Sequence, residues 1–158
     1  MRLLSSSAGR LAFQFRRNEA EIFRELLALY PLVPATHHQL SKSADELHEA
    51  QHLLDEALAE RRQENKRQLD QWLNDPQRFV PSEKGHTLRL ELTTAEADWL
   101  LQVINDIRVG SWLRLGSPDP HAEEQLEPTE ENLRYYWAME LGGLFEMLLL
   151  SALDQAGG

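Results

Sequence analysis

The stretch Leu88–Gly116, LRLELTTAEADWLLQVINDIRVGSWLRLG, leaves this chain the fewest choices. Leu88, Leu90 and Leu92 alternate with Arg89 and Glu91, the period of a half-buried strand. Thr93 and Glu96 then stand three apart, just before an apolar run. That spacing is a capping box: the hydroxyl accepts from a free backbone N–H, and the carboxylate reaches back to the threonine N–H. Leu100, Val103, Ile104 and Ile107 follow at helical spacing, with Trp99 at their edge. Gly116 suits a left-handed cap, and Ser117-Pro118 stops the helix.

The same pattern occurs earlier. Leu11, Phe13 and Phe15 alternate with Ala12 and Gln14, Asn18 and Glu21 offer a second capping box, and Ile22, Phe23, Leu26, Leu27 and Tyr30 continue at helical spacing. Leu11 corresponds to Leu88, Phe15 to Leu92 and Ile22 to Trp99, each pair 77 positions apart. Two readings stand: a strand–helix unit present twice, or the common look of any two strand–helix junctions.

Around these units the chain reads as follows. Residues 1–9 read as a loose start, since Ser5-Ser6-Ser7 holds little structure. Strand one covers 11–16 and helix one 19–30, ended by Pro31 and Pro34. Ser43 and Glu46 open a second helix that runs to Leu73, either continuous through its polar middle, residues 60–68, or broken near Gln63. Asn74-Asp75-Pro76 ends it, Phe79 and Val80 tuck into the core, and Lys84-Gly85 turns into the central strand. The segment 117–129 opens an acidic loop: SPDPHAEEQLEPTEEN holds six acidic residues and no lysine or arginine. Thr129 caps a last helix. Its inward face is read as Leu133, Trp137, Leu141, Leu144 and Leu148, which leaves Met139, Met147 and Leu150 on the other side. Gly142-Gly143 in its middle predicts the close approach of another backbone. The expected fold is mainly α: one domain over 1–158, a helical bundle with a small two-stranded β element.

Composition excludes more than it selects. A net charge of −10 opposes non-specific attraction to phosphate backbones. The absence of cysteine removes disulfides, thiol nucleophiles and cysteine-type zinc sites, and it fits a cytoplasmic protein. The first residues lack the apolar core of a signal peptide, and Leu141–Leu153, interrupted by Glu146, is too short to span a bilayer. There is no phosphate loop, no nucleotide-binding glycine fingerprint and nothing that marks a catalytic serine.

Three groups carry candidate chemistry. His48-Glu49-Ala50-Gln51-His52 is an HExxH pattern, in which two imidazoles one helical turn apart share a zinc and Glu49 serves as base. Against it, Ala50 is small, Asp45 is charged, and no local third ligand follows except Glu56, so two histidines on a solvated helix face are the favoured account. His37-His38 are the other histidines in reach. Asn105, Asp106 and Arg108 interrupt an apolar helix; they form either a small polar site or a structural network. Arg61, Arg62, Lys66 and Arg67 meet an acidic partner or nucleic acid, or pair with Glu60 and Glu64 along the helix. The aromatics Trp99, Trp112, Tyr135, Tyr136 and Trp137 line a pocket or pack in a core.

Through Leu90–Leu92, Asn105–Arg108 and Arg114–Gly116 the sequence resembles an uncharacterised bacterial family, domain of unknown function number 2017. FQFRRNEAEIFRELLALY is similar to the family's opening, and YYWAMELGGLFEMLLLSAL to its closing helix. The likeness spans the chain except about residues 35–80, which hold the HExxH. The chain departs from it at Val109-Gly110-Ser111-Trp112, where many relatives read Leu-Ala-Leu-Gly-Thr. The resemblance supplies no activity, cofactor or catalytic residue. It implies a link to regulated proteolysis, because members in some actinobacteria are encoded beside a protease adaptor.

The sequence therefore points to a cytoplasmic protein–protein interaction or regulatory protein rather than an enzyme. No cofactor, nucleic acid or membrane is expected, and a homodimer forms through Met139, Met147 and Leu150. The zinc hydrolase built on His48, Glu49 and His52 is the alternative, and a nucleic-acid-binding regulator the further one.

Overall fold

The structure is a computed structural model that describes residues 1–7, 9–34, 46–83, 85–119 and 127–157, with side chains in the second helix described from residue 50 onward. Eight elements follow in chain order: β1 (Arg2–Ser7), β2 (Arg10–Arg16), α1 (Arg17–Leu27), α2 (Glu46–Asn74), β3 (Phe79–Pro81), β4 (Thr87–Thr93), α3 (Thr94–Arg114) and α4 (Leu133–Gly157).

The mainly α bundle with two strands is overturned. The strands form one antiparallel sheet of four, in the order β1-β2-β4-β3. With 62% of the described residues helical and 17% in strands, the fold is α+β. The two expected strands are the sheet's centre, and each gains an outer neighbour. β1 is the segment read as a loose start. Its serines are poor strand formers, but Leu3 pairs beside Phe13 and Ser6 beside Leu11, so the sheet supplies what local propensity does not. β3 places Phe79 beside Leu90 in the core while Val80 points outward and stays half exposed.

The 77-residue offset has a geometric counterpart. β2 and β4, and the first residues of α1 and α3, are all separated by 77 positions. Across the ladder Leu11 faces Leu92, Phe13 faces Leu90 and Phe15 faces Leu88. Shifting every residue by 77 returns the same pairs, so β2 and β4 are related by a local two-fold through Phe13 and Leu90.

Helix ends follow the capping chemistry. The Thr93 hydroxyl accepts from the Glu96 N–H at 3.1 Å, and the Glu96 carboxylate accepts from the Thr93 N–H at 2.9 Å. In α1 the carboxylate that accepts is Glu19, from the Arg16 N–H at 2.8 Å, two residues earlier than the Asn18–Glu21 box. α2 is continuous through its polar middle; its C-terminal third docks through Leu69 and Trp72. Gly116 adopts a φ of 82°, the left-handed region that closes α3.

The inward face of the sheet, Leu11, Phe13, Phe15, Leu90 and Leu92, packs with Phe23 of α1, Ile104 and Ile107 of α3 and Leu149 of α4. Ring contacts join the layers: Phe23 meets Phe145 at 4.7 Å and Phe15 meets Phe79 at 5.6 Å. On the opposite face of the sheet Arg2, Arg10, Arg16, Arg89 and Glu91 are exposed, while Ala12 at its centre is buried.

Candidate functional site

The polar trio of α3 separates into three environments. Asn105 is exposed. Asp106 turns toward the connector after α1, where its Oδ1 accepts from the Leu32 N–H at 2.7 Å and the Val33 N–H at 3.3 Å. Val33 is buried, so at that N–H the carboxylate satisfies a backbone donor with little access to water. Arg108 lies on another side and pairs with Glu146 of α4. The trio therefore does not converge on one point.

Arg108 also explains part of the diglycine. A Cβ built at Gly142 would fall 2.5 Å from Arg108 Cγ, so the close neighbour is a side chain, not the backbone that the sequence suggested. The close backbone approach lies elsewhere: a Cβ at Gly110 would meet the Leu32 carbonyl carbon at 2.5 Å and the Val33 nitrogen at 2.8 Å. Gly110 and Asp106, one turn apart, thus hold one segment of connector against α3.

His52 is exposed and lies 3.6 Å from Glu56, its neighbour one turn on. The side chains of His48 and Glu49, and all of His37 and His38, lie outside the described residues. Among the described residues no three histidine, aspartate or glutamate side chains gather as a metal requires. Three of the four basic residues of α2 are engaged along the surface: Lys66 with Asp70, Arg67 with Glu64, and Arg61 with Gln102 of α3 at 2.9 Å. Asn65 joins α2 to the body, donating to Tyr30 at 3.4 Å and accepting from Trp99 at 3.3 Å. Burial, with the Asp106 charge adding, raises the Tyr30 phenol above its usual value of 10.0 against the Asn65 and arginine contributions. Trp99 is buried, whereas Trp112 donates to the Pro118 carbonyl at 3.0 Å and remains partly exposed.

The largest departure is in α4. Its buried residues are Ala138, Gly142, Phe145, Leu149 and Ala152, not the leucine-and-tryptophan face assigned from the sequence. Small residues at 138, 142 and 152 let α4 settle closely on the fold, so the bulky residues turn outward. Leu133 (40% exposed), Trp137 (52%), Leu144 (46%), Met147 (59%) and Leu150 (50%) are open to solvent, while Met139, Leu141 and Leu148 are half-buried. Leu133, Trp137, Glu140, Leu144, Met147 and Ser151 form one ridge with alternating steps of four and three residues. That spacing is the seam by which one helix meets another. Beside it, an open groove of about 470 Å³ runs between α1 and α4, lined by Ile22, Leu26, Leu29, Trp137 and Leu141. The signal for this face was present in the sequence as the alanines and glycine, which mark the side of a helix that comes closest to its neighbours.

By length and composition α4 also meets the measure of a membrane-crossing helix, with 28% of its most apolar window buried inside the fold. No protein-family model, curated protein or solved structure matches the chain.

Proposed function

We propose that the protein is a non-catalytic interaction protein of the cytoplasm, and that the outward ridge of α4 binds a second copy of the same chain across a two-fold axis. The observation that carries this reading is the run of half-exposed Leu133, Trp137, Leu144, Met147 and Leu150 on one helix. A contiguous ridge of large apolar side chains is unusual on a monomer's surface, and interfaces are enriched in tryptophan and methionine. Two-fold closure covers such a ridge with itself. In an antiparallel pair of α4 helices, Trp137 of one copy meets Met147 of the other, and Glu140 lies beside Leu144. A carboxylate in an apolar seam lowers affinity while fixing register.

Light scattering after size exclusion tests this. The expected mass at tens of micromolar is that of a dimer, and Leu144→Glu with Met147→Glu gives a monomer with an unchanged circular dichroism spectrum. Glu140→Leu tightens the dimer. A wild-type monomer mass at that concentration refutes the reading. The connection to regulated proteolysis rests on the family resemblance alone; copurification of a protease adaptor with the chain would support it.

A further inference from the structure

The face of the sheet turned away from the helices differs in charge from the rest of the chain. The protein carries −10, yet the outward positions of the strands present Arg2, Arg10, Arg16 and Arg89 against one carboxylate, Glu91. Glu91 is already shared: Arg89 reaches it at 2.6 Å and Arg10 at 3.9 Å. Arg2 donates to the neutral Gln14 at 2.9 Å. The Arg16 guanidinium stands near the Glu19 carboxylate and helps to lower its pKa. The neighbouring Arg78 is different, being neutralised by Glu96 at 2.5 Å and Asp75 at 3.4 Å.

The arginines stand among exposed aliphatic side chains. Leu4 on β1 is 43% exposed and Val80 on β3 is 51% exposed. Two shallow depressions, of about 510 and 600 Å³, both include Val80 and Arg89; one extends to Arg10 and Thr93 and takes in Glu91 and the Asp75, Arg78 and Glu96 side chains, the other extends to Leu4 and Gln14 with Glu83 at its rim. Clustered like charges repel, so this arrangement does not stabilise the fold by itself. Guanidinium groups match carboxylates two-pronged, and arginine is enriched where proteins meet. No outward position of the sheet is aromatic, which removes the stacking platforms that single-stranded nucleic acid uses.

We propose that this face docks an acidic, extended segment of another protein, its carboxylates on Arg10, Arg89 and Arg2 and its aliphatic side chains over Leu4 and Val80. Alternate residues of an extended chain point the same way, so alternating acidic and aliphatic residues suit a pleated face with this composition. The site lies on the layer opposite α4 and does not depend on the dimer.

The test uses the full chain, isotope-labelled so that backbone and arginine Nε–H signals are observed by NMR. The probe is a short capped peptide alternating glutamate with valine; the controls are its glutamine counterpart and a thymidine oligonucleotide. The expected result is shifts confined to Arg2, Arg10, Arg89 and strands β1, β2 and β4, fading as salt is raised. Arg10→Gln with Arg89→Gln weakens binding about fivefold, the worth of two exposed ion pairs. Both arginines are more than half exposed, so the variant keeps its fold. Glu91→Gln frees the arginines and tightens binding. The proposal is overturned by an absence of shifts at millimolar peptide, by equal binding of the glutamine peptide, by shifts centred on Arg61 and Arg67 of α2, by weaker binding in Glu91→Gln, or by tighter binding of the oligonucleotide.

Discussion

Replacing Asp106 separates a structural carboxylate from a functional one. Its Oδ1 accepts from two consecutive backbone donors, Leu32 at 2.7 Å and Val33 at 3.3 Å. Alanine removes the acceptor and leaves both N–H groups facing α3, where Gly110 already brings the connector into contact. Leu32 is half-buried and recovers part of its loss from water; Val33 is buried and does not. One orphaned buried donor costs about 1–3 kcal/mol, and bonds to a charged acceptor lie in the upper part of the range, so Asp106→Ala costs about 2 kcal/mol. For a chain of 158 residues that is a fall of about 4–8 °C in Tm. Asp106→Asn keeps an oxygen in place and loses only the charge, so it costs about half as much. Thermal and urea unfolding of the three proteins provide the measurement. If Asp106→Ala unfolds within about 0.5 kcal/mol of wild type, the change is that of an ordinary surface position and the structural role is wrong. Equal losses for alanine and asparagine would refute the charge-assisted part alone.

Glycine substitutions test how closely α3 and α4 are packed. Gly110→Ala drives a Cβ to within 2.3 Å of Leu32 Cβ and 2.5 Å of backbone, and it costs about 3 kcal/mol. By contrast Gly143→Ala meets nothing nearer than 3.6 Å and gains about 0.5–1 kcal/mol of helix propensity; urea unfolding of the pair checks both signs. Burial alone raises the Glu96 carboxyl, but the Thr93 N–H and hydroxyl together with Arg78 outweigh it and hold the group below its ordinary value of 4.5. A lowered folded value means that the stabilisation is present above about pH 4.5 and is lost as pH falls through the folded value. The Tm of wild type therefore drops more steeply below pH 4.5 than that of Glu96→Gln, and parallel curves would remove Glu96 from the acid response.

What was legible in the sequence was local and periodic. Leu88, Leu90 and Leu92 alternate, Thr93 and Glu96 cap, and the strand–helix junction stands at Thr93 and Thr94. β2 and α1 are legible likewise, because Leu11, Phe13 and Phe15 alternate in the same way. β1 is not legible, because pairing with β2, not side-chain propensity, makes Ser5–Ser7 a strand. β3 is not legible, because three residues between Arg78 and Ser82, with a proline among them, form no pattern of their own. Each outer strand exists through a neighbour distant in sequence or beyond a turn, so no window of adjacent residues contains its cause.

The α4 face was misread for a different reason. Hydrophobic periodicity assumes that the bulkiest apolar residues are those buried, which holds when a helix stands about 8–10 Å from its neighbour. α4 carries apolar residues on most sides, so periodicity alone selects no face. Size decides instead. Ala138, Gly142 and Ala152 admit the closest approach and are buried with Phe145 and Leu149, and a Cβ at Gly142 would strike Arg108. Had Leu144 and Trp137 faced inward, α4 would stand farther from α3, and Arg108 could not lie against Gly142 while paired with Glu146. The ion pair and the glycine thus fix the rotation of α4 together, and that rotation turns Trp137, Leu144 and Met147 outward. The apolar ridge is a consequence of how the small residues pack.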